Sequence, residues 1–545
     1  MLSLMVCLSL SAVAPADAFH TLRDKLVKEW LDDQPQWGRG AGMHEYDGKV
    51  MKTSAPLLKE RIARLQREQA QLAQFDDKAL SADDKLDLGM VRYQVANDLF
   101  QLVDMDGPHK RPSFYESLFA VDSYINLDYA PLAERAQRLL KHEEAALVET
   151  ANITKNLVLP LPKSIAETDV KIFAGYAEYL RGDVKKLFSG VGDAAQQKRF
   201  AAANTKLADE AQRVSDWLKE KAVPTGDDSY ALGTKRYLKL LEVQEGLKIP
   251  LADFKKMAED NLAKNRAAYD ALQPQVKWTR PTAQGLLPAA RKLVEESRQF
   301  IIDKKIVSLA TPDTAEVAES PPYMRWNSAS ITPSGPFDSV RRAFYYITLP
   351  DPSWPQKEQD DYILTNGILL STTIHEVYPG HFVQLRWVER APSTVQKLVG
   401  AYSFVEGWAH YIEQMMIEEG YHANDKEGQL GQLSDALLRN CRFVVSIGLH
   451  TESMSLEAAQ KRFREECHQD VAEAREQAIR GTFDPGYFAY TLGKLEILDL
   501  RAEAKKRLGA KFSLQKFHDA LLSHGSAPVP LIRERVLNDL AAAAK

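Results

Sequence analysis

Apolar residues recur at helical spacing through almost the whole chain, and that pattern leaves little room for any fold that is not mainly α. Leu58, Ile62, Leu65 and Leu72 follow one another at intervals of four, three and seven, with charged residues between them. Such intervals put the apolar side chains on one face of a helix. The period returns around 130–158, 195–222 and 250–272, and stretches rich in Pro, Gly and Asp separate the repeats of it at 104–112, 159–163, 223–233 and 273–285. Gly and Pro, 28 and 26 of 545 residues, fall a little below the usual combined share of about 12%. The pattern changes at 311–350. There Arg341 to Leu349, rich in aromatic and β-branched residues and closed by Pro350, is the best strand candidate. The helical pattern resumes after Glu358. A chain of this length buries a sizeable core without difficulty.

Charge and cysteine content narrow the function classes. The 70 basic and 75 acidic residues give a net charge of −5, which excludes a strongly basic nucleic-acid binder. Met1 to Val13 is apolar apart from Ser3, Ser9 and Ser11, and Ala16-Asp17-Ala18 follows as a small-x-small triplet. This predicts a signal peptide over residues 1–18 and export to the periplasm or beyond. The run carries no Lys or Arg, so a buried N-terminal helix stands as the other reading. Cys7 lacks a lipobox. No other segment reaches 18 uninterrupted apolar residues, so no stable membrane insertion is expected. Cys441 and Cys467 sit in helical patterns and read as buried thiols.

The segment His375-Glu376-Val377-Tyr378-Pro379-Gly380-His381 carries the chemistry. In the H-E-x-x-H pattern of zinc peptidases the two imidazoles stand four residues apart on one helix face, and the Glu between them is the base. Here the interval is six, which an undistorted helix turns through about 240°. Either the two rings bind no common metal, or the helix is broken at Pro379-Gly380, where Pro removes a donor and Gly permits unusual dihedrals. Twenty-five residues on, Glu406 and His410 lie at i and i+4 in the apolar helix pattern of 401–419. A carboxylate in such company is costly unless paired or bound to metal. Two His and a later Glu make the ligand set of one type of catalytic zinc site, with a fourth position left for water. A structural Glu406–His410 pair is the alternative.

Together with Glu406-Gly407-Trp408-Ala409-x-Tyr411, Gly448-Leu449-His450, Asp484-Pro485-Gly486 and Tyr490-Thr491-Leu492-Gly493-Lys494, the His-Glu segment resembles the bacterial domain-of-unknown-function 885 family, grouped with the gluzincin-type metallopeptidases. The resemblance runs over about 40–540. It implies a large helical zincin-like fold with Zn2+ held by His375, His381 and Glu406. It implies no particular substrate.

A zinc hydrolase also needs a base and an oxyanion donor. Glu376 is the base by position. Tyr490, Tyr487 and His450 are candidate donors, and Arg480 a candidate receptor for a substrate carboxylate. Asp435 and Glu452 are candidate acceptors for zinc-bound imidazoles. The 341–349 strand, with Tyr345 at its centre, is expected to offer an edge to an extended peptide. Residues 19–310 are expected to wall a deep cleft that admits short peptides, and 311–545 to form the catalytic region of one continuous domain. The reading is a zinc metallopeptidase. Its rivals are a non-catalytic peptide- or metal-binding protein on the same scaffold, and a di-metal oxidoreductase built on Glu406 and His410. Oligomeric state is not legible.

Overall fold

The computed structural model describes residues 15–321, 324–325 and 328–544. The expected leader therefore lies almost wholly outside the described residues. Its cleavage triplet opens a helix, Pro15–Asp33, whose Phe19 is fully buried. Helices make up 71% of the chain and one three-stranded sheet accompanies them, the mainly α class that the periodicity implies. Among the described residues no helix is long and apolar enough to cross a membrane.

The largest apolar core runs from Phe19 and Trp30, through Tyr345 and Trp408, to Leu540, so helices from both ends of the chain share it. A second core, confined to Val50–Ala222, includes Phe119, Phe173 and Phe200. A third gathers Tyr237, Phe254, Phe443, Tyr487 and Phe488.

The sheet consists of β1 (Glu316–Glu319), β2 (Ala329–Pro333) and β3 (Ala343–Ile347), in the order β1-β3-β2. β3 pairs parallel with β1, Val317 opposite Tyr345, and antiparallel with β2, Ile331 opposite Tyr345. The strand foreseen at 341–349 exists in shortened form, but it is central and offers no edge. The two edges are β1 and β2, and on β2 the Ile331 N–H is taken by the Glu376 carboxylate.

Six helices position the site: α1 (Asn366–Glu376), α2 (His381–Val388), α3 (Tyr402–Glu418), α4 (Lys426–Thr451), α5 (Val471–Phe483) and α6 (Ala489–Leu508). α1 packs along α4, and α3 along α6. The α3–α6 crossing depends on two glycines. A Cβ on Gly493 would lie 1.8 Å from the Ser403 carbonyl oxygen, and one on Gly407 would lie 2.5 Å from the Gly493 Cα. Only hydrogen fits between these backbones. Cys441 and Cys467 are joined in a disulfide, which corrects their reading as free thiols. The signal was the count: with Cys7 in the expected leader, an exported chain keeps two cysteines, and an oxidising compartment favours their pairing.

Candidate metal centre

The Thr365 side chain caps α1 by accepting from the Ile368 N–H. The helix stops at Glu376 because Val377 leaves helical geometry (φ −117°, ψ −80°) and Pro379 can donate no bond to a preceding turn. Residues 377–380 then fold back over the helix end. At Gly380 a Cβ would stand 1.7 Å from the His375 carbonyl oxygen, so no other residue fits this return. The Trp408 indole donates to the Pro379 carbonyl at 3.0 Å, which ties the loop to α3. His381 restarts helix as the first residue of α2. The helix is thus interrupted completely, and the six-residue interval brings the two rings together.

His375 Nε2 and His381 Nε2 stand 3.1 Å apart. Glu406 Oε2, from the second turn of α3, lies 3.5 Å from the first and 3.4 Å from the second. Ligands on a tetrahedral ion with bonds of 2.0–2.2 Å are about 3.3–3.5 Å from one another. The triangle therefore has the size of one face of such a site, and its three atoms are the types zinc takes. Glu406 Oε2 is buried without a hydrogen-bond donor, an expensive state for a carboxylate oxygen that a cation would relieve. Burial disfavours protonated His375, yet the nearby carboxylates of Glu406 and Glu413 outweigh it and lift the ring to about 10. His375 and His381 remain 6% and 8% exposed, so the centre is not sealed.

Behind the ligands lies a network that sequence reasoning missed. Glu413, two turns after Glu406 on α3, accepts from His375 Nδ1 at 2.6 Å and His410 Nδ1 at 3.0 Å. The Arg439 guanidinium of α4 stands 3.2 Å from the same carboxylate. Burial raises Glu413, but Arg439, His410 and His375 together hold it well below the usual carboxylate range. The acceptor on Nδ1 leaves Nε2 of His375 free to face the centre. His410 pairs with Glu413 and not with Glu406, which removes the structural-pair alternative. The available signal was a second carboxylate seven residues on, at the same face of an apolar helix.

Glu376 Oε2 accepts the Ile331 N–H of β2 at 3.0 Å. Its carboxyl is raised from the ordinary value by burial, with His375 and His381 pulling the other way. Tyr490 lies one turn before Gly493, whose backbone meets Ser403 and Gly407 at the α3–α6 crossing. Its ring packs against Tyr402 and lies 5.6 Å from the Arg439 guanidinium and 5.0 Å from that of Arg442. The Arg480 guanidinium is engaged by Asp484 at 3.0 Å and the Tyr402 hydroxyl at 2.9 Å. Asp435 stands 3.5 Å from Arg439 and so supports the network from one residue further out.

Four expected site residues are placed elsewhere. His450 is 1% exposed, bonds to the Gly481 carbonyl at 2.8 Å and stacks on Tyr237. It is a packed core ring, lowered by burial to about 4. Tyr487 is fully buried with its hydroxyl turned towards Gly481. Tyr345 is also fully buried, with its hydroxyl 3.3 Å from Thr373 of α1; it braces the ligand helix from behind and presents nothing to a substrate. Glu452 pairs with Lys255 near the surface.

A model of the family described as "Bacterial protein of unknown function (DUF885)" matches residues 35–536. The chain is similar to a solved protein from Shewanella oneidensis, described as a candidate lipoprotein of unknown function. The identity is 25%, the TM-score 0.77, and the match covers 95% of this chain and 99% of that one. A candidate lipoprotein from Colwellia psychrerythraea, 18% identical, shares the fold with a TM-score of 0.74 over 97% of this chain and all of its own. No curated protein matches.

Proposed function

We propose that this chain, which belongs to the DUF885 family of bacterial proteins, is an exported zinc-dependent hydrolase acting on short peptides, of the gluzincin type. The observation that carries the reading is the triangle of His375, His381 and Glu406, with ligand atoms 3.1–3.5 Å apart and an oriented imidazole behind it. When bound, zinc supplies Lewis acidity and acidifies water.

The chain's own groups supply the rest. Glu376 takes the proton from the attacking water and returns it to the leaving amine. The Tyr490 hydroxyl donates to the developing oxyanion. The edge strand β2, whose Ile331 N–H reaches Glu376, offers its remaining backbone groups to an extended peptide, the role first expected of β3. A retained base counts against a non-catalytic metal binder. The turn of His410 towards Glu413 counts against a di-metal site. The disulfide suits an oxidising compartment, and two solved relatives described as candidate lipoproteins also favour export.

Elemental analysis of the full chain should return one zinc, lost in the His375→Ala, His381→Ala and Glu406→Ala variants. Peptide-library digestion should stop with chelator and resume with added zinc. Full zinc occupancy in His381→Ala would sink the ligand set. Tyr490→Phe should keep zinc and folding and lower turnover about 10²–10³-fold; unchanged turnover would pass the oxyanion role to another donor.

A further inference from the structure

Arg442 of α4 is 8% exposed, and among the described residues no carboxylate stands within ion-pair distance of it. Its Nε donates to the Gln477 side-chain oxygen of α5 at 2.8 Å, and its guanidinium carbon is 5.0 Å from the Tyr490 ring centroid. The neighbouring arginines differ. Arg439 has Glu413 and Asp435, and Arg480 has Asp484. A guanidinium that is nine-tenths buried without a counter-charge is rare and costly. Burial lowers Arg442 from its usual value, and the charges of Arg480 and Arg439 act in the same direction against the pull of Tyr490. Its two terminal nitrogens are not among the buried groups lacking a partner, and among the described residues no acceptor bonds to them. They keep a little open surface on a planar fork that fits a carboxylate.

Position gives the anion an identity. Arg439 touches both Glu413 and His375 at 3.2–3.3 Å, and Arg439 and Arg442 share the Tyr490 ring. One ring thus touches both Arg442 and the arginine that reaches the metal centre. Their guanidinium carbons, 5.0 and 5.6 Å from its centroid, are at most about 11 Å apart, within the reach of two to three extended residues. We propose that Arg442 receives the free C-terminal carboxylate of a peptide whose scissile bond lies at the metal centre, so that the substrate class is short peptides with an unblocked C-terminus. The inference rests on the hydrolase reading and adds to it the end of the chain that is recognised.

The test uses the full-length Glu376→Gln variant loaded with zinc, which binds without turnover. Matched acetylated tripeptides ending in a free acid or in an amide are titrated calorimetrically. The acid should bind about 10- to 100-fold more tightly than the amide. Adding Arg442→Ala should abolish that ratio while amide affinity, zinc content and melting temperature stay near their values. If the alanine variant does not fold, Arg442→Lys serves, and its ratio must fall because the ammonium cannot make the fork. Equal binding of acid and amide, binding of neither, or an undiminished ratio in both variants overturns the proposal. So does an amide peptide with an Asp side chain that binds as tightly as the acid, since the site would then read side chains. So does chloride that stabilises the parent protein but not Arg442→Ala, with acid and amide alike, since the guanidinium would then hold a free ion. Cleavage is followed separately with the unaltered enzyme. Acid selectivity without cleavage of any peptide leaves the anion site standing and removes the peptidase reading, whereas equal cleavage of acids and amides does the reverse.

Discussion

Glu376→Gln is expected to keep its zinc and lose turnover by about 10²–10⁴-fold. The amide has nearly the shape of the carboxylate, and its oxygen can still accept the Ile331 N–H that holds Glu376 at 3.0 Å. His375, His381 and Glu406 are untouched, so the ligand triangle survives. What disappears is the capacity to carry a proton between the attacking water and the leaving amine. Parallel measurement of metal stoichiometry and of peptide turnover separates the two properties. Turnover near that of the unaltered protein would remove Glu376 from the mechanism, and loss of zinc would show that it holds the site together instead.

Glu413→Ala should damage stability and metal binding at once. Glu413 is fully buried and accepts from two histidines while it neutralises Arg439. Its removal strands the Arg439 cation, which keeps only Asp435 at 3.5 Å, and leaves His375 Nδ1 without its acceptor. Breaking a buried pair from one side costs about 3–5 kcal/mol, and losing the partner that orients a ligand histidine typically weakens metal affinity about 10- to 100-fold. Urea midpoints with and without zinc, together with competition against a chelator of known affinity, read both effects. A stable variant with unchanged zinc affinity would show that Glu413 neither orients His375 nor balances Arg439.

The grouping of His375, His381 and Glu406 was legible because its constraints are local. A six-residue interval, a Pro-Gly pair inside it and a carboxylate in an apolar helix each announce a cost that needs an explanation. The helical class was legible for a similar reason, since periodicity is a property of neighbours in the chain. Strand order was not. Arg341 to Leu349 has the composition of a strand, but composition says nothing of how many partners a strand has, and β3 has two. β1 and β2, of four and five residues, are too short and too polar to stand out. His450 matched the motif by position and Tyr487 follows its Pro-Gly turn, yet both turn into the core, because spacing along the chain does not fix which neighbour a side chain meets. Glu413 and Arg439 were missed for the converse reason. They touch no reacting atom by position, and only the packing of α1, α3 and α4 brings them together.

Cys441 lies between Arg439 and Arg442 on α4, and its bond to Cys467 closes a loop over a separation of 26 residues. In a chain-entropy description such a closure takes about 3–4 kcal/mol of freedom from the unfolded chain. The helical turn that carries both arginines is therefore fastened by a covalent link that persists only where thiols are oxidised. Delivery and durability become one property. On the exported reading, a copy held back among reductants keeps His375, His381 and Glu406, loses its fastening, and opens more often to proteolysis than an oxidised copy.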